Sequence, residues 1–146
     1  MIRNGLLALL LTAAIGTVSC QTLSGSGASG AEFTKSRELL RETRGRMDRA
    51  AQGSDLPAAW RALTEIRQQF DAIEAKTSSM NLMDNETMKI QIATGRRTIT
   101  ETDRWVQVND ADAVRSQVAQ LDPILDQIDL LLDRAIKSST PASGTP

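Results

Sequence analysis

Four stretches of the chain repeat apolar or small residues at three- and four-residue steps, with charged residues between them. This spacing puts the repeated residues on one face of an α-helix. In the first stretch the face consists of Phe33, Ser36, Leu40, Thr43, Met47 and Ala50. In the second it consists of Leu56, Ala59, Leu63, Ile66, Phe70 and Ile73. In the fourth it consists of Val114, Val118, Leu121, Leu125, Ile128, Leu132 and Ala135.

The third stretch, residues 84–108, allows two interpretations. As a helix it buries Met88, Ile92, Gly95, Ile99, Thr102 and Val106. Its first half also alternates as a strand does, and Gly95 suits a turn, so helices with a β-hairpin at about 88–108 are the alternative. We favour the helix because an isolated hairpin is marginally stable and three helical neighbours offer matching apolar faces.

The connections near residues 53, 80 and 110 are short, as is typical of antiparallel helical neighbours. The sequence therefore predicts an all-α, up-down-up-down four-helix bundle over residues 32–137. We expect Pro123 to kink the fourth helix without ending it, because the apolar repeat continues across the proline. Residues 138–146 are rich in Ser, Thr, Pro and Gly and are predicted to be a disordered tail.

Charged residues flank two of the apolar faces in matching rows. The basic row on the first helix is Arg37, Arg41 and Arg44, and the acidic row on the fourth is Asp122, Asp126, Asp129 and Asp133. Equivalent flanks of antiparallel helices meet, so we expect these rows to form a salt-bridge seam. Exposed pairs stabilise a fold by only about 0.2–1 kcal/mol each, so the seam would select the neighbour more than hold the fold.

The composition excludes several classes of function. The 146 residues include no histidine and one cysteine, which removes histidine-based catalysis, imidazole-ligated metals and intramolecular disulfides. The 17 basic and 18 acidic residues give no basic surface for nucleic acid. We therefore predict that the protein is not an enzyme, has no cofactor and binds no nucleic acid.

The N-terminus has the pattern of an export signal. Arg3 precedes an uncharged apolar run over residues 5–18, which ends at Thr17, Val18, Ser19 and Cys20. This segment resembles the signal peptide and lipobox of bacterial lipoprotein precursors, although Thr17 stands where an aliphatic residue is usual. The resemblance implies removal of residues 1–19 and acylation of Cys20, palmitate being a usual chain. It also implies a membrane-anchored envelope protein facing the periplasm, with Gln21 favouring the outer membrane.

Residues 20–31 are then the lipidated cysteine and a Gly/Ser-rich tether. The leading hypothesis is a lipid-anchored interaction or scaffold module that binds a protein partner or, in coiled-coil fashion, a second copy of itself. Trp60 and Trp105 fall near the same end of the predicted bundle and are the candidate partner surface.

Two alternatives for function remain open at this stage. In the first, the bundle carries or senses a small apolar ligand in space left by Ala59 and Gly95. In the second, the thioethers of Met80, Met83 and Met88 bind Cu(I), because soft sulfur ligands select that ion.

Overall fold

The computed structural model describes residues 28–139, which form four α-helices: α1 (Gly30–Gln52), α2 (Leu56–Glu74), α3 (Leu82–Gln107) and α4 (Ala111–Ser139). A single 3-10 turn, Thr77–Ser79, lies between α2 and α3. α1 packs against α2 and α4, and α3 packs against the same two helices. The predicted all-α, up-down-up-down four-helix bundle is confirmed.

The predicted apolar faces of α1, α2 and α4 are buried in full. On α3, Met88, Ile92, Gly95, Ile99 and Thr102 are buried and Val106 is half-buried. The β-hairpin alternative at about 88–108 is wrong, because this stretch lies within one continuous helix. That helix lets every member of the three–four repeat enter the core, whereas a strand would turn alternate residues outward.

Both ends of the bundle extend slightly beyond the predicted limits of 32 and 137. Ser29 caps α1, and it forms a reciprocal pair of hydrogen bonds with Glu32, so Gly30 and Ala31 of the predicted tether are helical. At the other terminus α4 passes through Pro123 without a break and includes Ser138 and Ser139 of the predicted tail. Residues 1–27 and 140–146, which include the predicted signal peptide and Cys20, lie outside the described residues.

The bundle has two distinct ends. We call the end where the chain enters α1 the tether end and the opposite end the distal end. The tether end holds the start of α1, the α2–α3 connection and the last turn of α4. There Lys76 Nζ donates to Ser36 Oγ over 3.1 Å, and Arg134 pairs with Asp84 at 3.3 Å. The distal end holds the other two turns, where Arg115 donates to Ser54 Oγ over 3.2 Å. At about 1.5 Å per residue, the 26 residues of α3 separate the two ends by roughly 39 Å.

The middle of the core depends on a glycine. A Cβ atom placed on Gly95 of α3 would lie 2.6 Å from Cε2 and 2.9 Å from Cζ of Phe70 on α2. Real carbon atoms do not approach so closely, so the Phe70 ring occupies the volume that a side chain at position 95 would need. Because Phe70 is itself fully buried, the ring has little freedom to retreat.

We predict that Gly95→Ala destabilises the bundle by roughly 1–3 kcal/mol through overpacking against Phe70. Helix propensity alone favours alanine over glycine by up to about 1 kcal/mol. The expected loss of stability is therefore opposite in sign to the effect of helix propensity. Gly45 on α1 is the matched control, because a Cβ there would meet only Arg49 Nη1 at an ordinary 3.5 Å. Urea unfolding followed by circular dichroism should show Gly45→Ala unchanged or more stable. If Gly95→Ala were as stable as Gly45→Ala, the close contact between position 95 and Phe70 would be contradicted.

Candidate functional site

The charged rows on α1 and α4 meet along their whole length. Arg37 donates from Nε and Nη2 to both carboxylate oxygens of Asp129 over 2.9 and 3.0 Å, and from Nη1 to Asp133 over 2.7 Å. Arg41 donates to the same two oxygens of Asp129 over 2.7 and 2.8 Å. Asp129 therefore accepts four hydrogen bonds from two guanidinium groups, in the paired geometry that makes arginine–carboxylate contacts strong.

Arg44 completes the seam toward the distal end. Its guanidinium group lies 2.5 Å from Asp126 and 3.0 Å from Asp122. The structure thus brings together the seven residues of the predicted seam: Arg37, Arg41, Arg44, Asp122, Asp126, Asp129 and Asp133. Arginines later in α1 pair with aspartates earlier in α4, as antiparallel helices require.

The electrostatics of the seam are concentrated at Asp129. Hydrogen bonds from Arg37 and then from Arg41 lower the pKa of Asp129 to about 2. The side chains of Arg37 and Asp129 are each 22% exposed, so water screens this pair less than a pair on an open surface. A hydrogen bond from Lys137 is the main cause of the lowered pKa of Asp133, with a smaller effect from Arg37.

The seam is suited to structure more than to chemistry. General acid–base catalysis needs neighbouring groups whose pKa values are pushed apart toward neutrality, whereas the pKa values of Asp129 and Asp133 are both lowered. Beside the seam, burial and then the charge of Asp122 raise the pKa of Asp48. The charges of the seam also fix which helix lies beside α1. Because α4 is that neighbour and runs antiparallel to α1, its last turn lies at the tether end.

Polar contacts between α1 and α2 were not foreseen from the sequence. Arg46 pairs with Glu65, Gln69 Nε2 donates to Thr43 Oγ1 over 2.7 Å, and Lys76 reaches Ser36. Shallow grooves open beside these contacts, one of about 550 Å³ at the distal end and one of about 320 Å³ at the tether end. Ser36 and Thr43 belong to the predicted face of α1, and Arg46, Glu65 and Gln69 each stand one position before a face residue. The flank pattern could therefore also have paired α1 with α2.

The Ser36–Lys76 contact is the arrangement nearest to a nucleophile and base among the described residues. Ser36 lies within α1, where helical hydrogen bonds already use the backbone N–H groups. A serine nucleophile also needs free donors for the developing oxyanion, and the surrounding helix offers none. The contact therefore joins α1 to the α2–α3 connection at the tether end.

The two tryptophans share the distal end but not one surface. Trp60 and Trp105 are 47% and 39% exposed. Trp60 lies two helical turns before Arg67, which pairs with Asp103, so it is on the flank of α2 that faces α3. Trp105 lies nine residues after Arg96, about half a turn around α3 from the side that contacts Glu74. They are therefore separate candidate contacts for a partner.

The three methionines proposed for copper occupy different environments. Met88 is fully buried in the core, Met80 is half-buried against it, and Met83 projects into solvent. Three thioethers on one ion must converge within bonding distance, whereas Met88 faces the core and Met83 faces solvent. Among residues 28–139, no group of three or more His, Cys, Asp or Glu side chains is placed to hold a metal either.

Beside Gly95 the interior does not offer the apolar space that the sequence suggests. Phe70 fills the volume beside Gly95, and Ala59 is fully buried within the core. The grooves described above are open to water and are lined mostly by charged or small side chains.

Comparisons with known proteins identify no relative. No family model matches the chain, and no curated protein or solved structure is significantly similar to it. In the part of the chain that the structure describes, none of the helices combines the length and apolarity needed to cross a membrane.

We predict that Asp129→Asn destabilises the protein by about 1–2 kcal/mol at neutral pH. The shift of the Asp129 pKa from 3.8 to about 2 corresponds to roughly 2 kcal/mol, and its partial exposure reduces that figure. Asp126→Asn is the matched control on the same helix. Its side chain is 64% exposed and meets one arginine, so the expected loss is below about 0.5 kcal/mol.

The cost of Asp129→Asn should also depend on pH. Because the pKa of Asp129 is lower in the folded protein, the unfolded chain takes up the proton first, and stability falls as the pH falls. The difference in the free energy of unfolding between wild type and Asp129→Asn should have its full value at pH 6 and shrink between about pH 4 and pH 2. Urea unfolding across this range measures it. A difference that stays constant down to pH 2.5 would contradict the assignment.

Proposed function

We propose that the chain is a lipid-anchored, non-enzymatic bundle that presents its distal end to a protein partner in the bacterial envelope. The anchor part of the proposal rests on residues 1–20, where the apolar run ends at the one cysteine of the sequence. The interaction part rests on the described bundle. Outer-membrane sorting follows from Gln21 by the same resemblance.

The observation that carries the proposal is the polarity of the bundle. The chain enters at the tether end through the capped start of α1, while Trp60 and Trp105 lie at the opposite end. Tryptophan is enriched among the residues that dominate binding energies, and both rings are accessible. An anchor at one end and accessible aromatic side chains at the other suit a rigid spacer that holds a partner away from the membrane.

The alternatives receive less support from the described residues. A carrier of apolar ligands needs an enclosed apolar cavity, and Phe70 fills the place where the sequence suggested one. A copper protein needs converging thioethers, whereas Met83 and Met88 lie in solvent and core respectively. Self-association remains a form of the proposed function, with a second copy as the partner.

We predict that Cys20→Ser moves the protein from the membrane fraction to the soluble fraction of envelope preparations. The acyl chains stabilise membrane attachment by about 0.8 kcal/mol per buried methylene group, and the variant has no thiol to carry them. Fractionation with immunoblotting measures the distribution.

The matched control restores a thiol four residues after position 20, away from the end of the apolar run. In the double variant Cys20→Ser with Ser24→Cys, the cysteine no longer ends the apolar run, so the protein should stay soluble. If Cys20→Ser alone remained with the membrane after a carbonate wash, acylation at this residue would not be the anchor.

For the distal end we predict that Trp60→Ala with Trp105→Ala abolishes crosslinking to the partner in native envelopes while helicity is retained. Because the two rings lie on different flanks, single variants will separate their contributions. Leu130→Ala is the control, since Leu130 is an exposed apolar residue of α4 outside the distal end. Unchanged crosslinks in the double tryptophan variant would contradict a role for this end.

A further inference from the structure

An uncharged segment with two exposed apolar side chains lies at the tether end. The seven residues 77–83, which form most of the α2–α3 connection and the first residues of α3, contain no charged side chain. Leu82 and Met83 are 75% and 77% exposed, more than any other large apolar side chain in the described residues. We call this segment, residues 77–83, the tip.

The tip is held to the bundle by hydrogen bonds and packing. At its start Thr77 is buried and its hydroxyl group donates to the Glu74 carbonyl oxygen over 2.9 Å. In its middle Met80 packs against the core. At its end the side chain of Asn81 accepts from the Asp84 amide over 3.0 Å and so caps α3. Leu82 and Met83 are therefore displayed outward by a fixed frame, and exposing them costs the protein favourable burial.

The length of the preceding chain bounds how far this tip lies from Cys20. Eight residue steps separate Cys20 from Ala28, where the described structure begins. A fully extended chain covers at most about 3.6 Å per residue, so they span no more than roughly 29 Å. The start of α1 and the tip share the tether end, so an acyl anchor at Cys20 keeps the tip near the bilayer.

The charges around the tip do not oppose approach to lipid headgroups. The nearby acids are each engaged within the protein: Glu32 with the Ser29 cap, Glu74 with Arg96, Asp84 with Arg134 and Asn81, Glu86 with Lys89, and Asp133 with Arg37 and Lys137. Three of the four lysines, Lys35, Lys76 and Lys137, lie at this end. Lysine side chains there can extend toward headgroup phosphates while their stems follow the apolar surface.

We propose that Leu82 and Met83 insert into the interfacial layer of the bilayer that carries the Cys20 anchor. The bundle then stands on the membrane with the start of α3 downward and the distal end exposed. This inference rests on the proposed lipid anchor, because two side chains alone bind a bilayer only weakly. The tether raises the effective concentration of these side chains at the bilayer surface, so two of them are enough for insertion once the anchor is in place.

The test uses the mature lipoprotein extracted from its native membrane and reconstituted into vesicles of phosphatidylethanolamine and phosphatidylglycerol. Acylation blocks the thiol of Cys20, so a new cysteine is the one labelling site for a polarity-sensitive fluorophore. Ser79→Cys reports on the tip, and Val108→Cys, at the far end of α3 and also exposed, is the matched control. Brominated lipids then quench the fluorescence of any fluorophore that lies within the bilayer.

We expect brominated lipids to reduce the fluorescence at position 79 at least twofold and to leave position 108 and the native tryptophans unchanged. Adding Leu82→Ser and Met83→Ser to the Ser79→Cys protein should abolish the quenching. Because both side chains are mostly exposed, these changes should leave helicity intact, which circular dichroism checks. Quenching that persists without the two apolar side chains would overturn the inference, since the fluorophore alone would then explain it.

Other outcomes separate this inference from the proposed function. A protein that floats with the vesicles but shows equal, weak quenching at positions 79 and 108 is anchored without tip insertion, and the inference fails alone. A blue-shifted, unquenched label at position 79 with crosslinked dimers would make a second copy the occupant, which also overturns it. A protein with a reactive Cys20 thiol that does not float would overturn the lipid anchor, and the inference with it.

Discussion

Each helix of this bundle has one apolar face, and each face stays out of water only when the other three helices cover it. The fold depends on this mutual burial, which the three–four repeat encodes on all four helices. Burial alone does not decide which helices are neighbours. The arginines of α1 and the aspartates of α4 add that information, because their flanks meet only when the first and last helices lie side by side. The close contact between Gly95 and Phe70 then sets how tightly α3 approaches α2.

This arrangement gives the molecule a direction. The even number of helices and the short connections return the chain to the end where it entered, so the start of α1 and the last turn of α4 belong to one end. The accessible tryptophans belong to the other, roughly 39 Å away along α3. With Phe70 filling the space beside Gly95 and the charges of the seam paired, the described residues offer outer surfaces and ends for interaction. The proposed spacer and the proposed membrane-facing tip are two consequences of the same polarity.

Much of this architecture could be predicted from sequence, for reasons that differ between elements. α1, α2 and α4 repeat so regularly that their buried faces follow residue by residue, and the seam follows from the flanks of those faces. The start of α1 was predicted two residues too late, because the tether was expected to continue to residue 31 and the Ser29–Glu32 capping spacing was not used. Residues 84–108 were ambiguous because threonine and isoleucine suit strands, and only contact with Phe70 explains why Gly95 fits a helix there. The separation of Trp60 from Trp105 needed the helical phase and neighbours of α2 and α3, which position along the chain does not supply.

The central claim is that one cysteine attaches this bundle to a membrane at one end. Mass spectrometry of the protein extracted intact from its native envelope tests it most directly. We predict an N-terminal peptide that begins at Cys20 and carries acyl chains on the residue, with the preceding 19 residues removed. A mature chain that begins elsewhere, or that begins at Cys20 with a free thiol and a free amine, would contradict the claim.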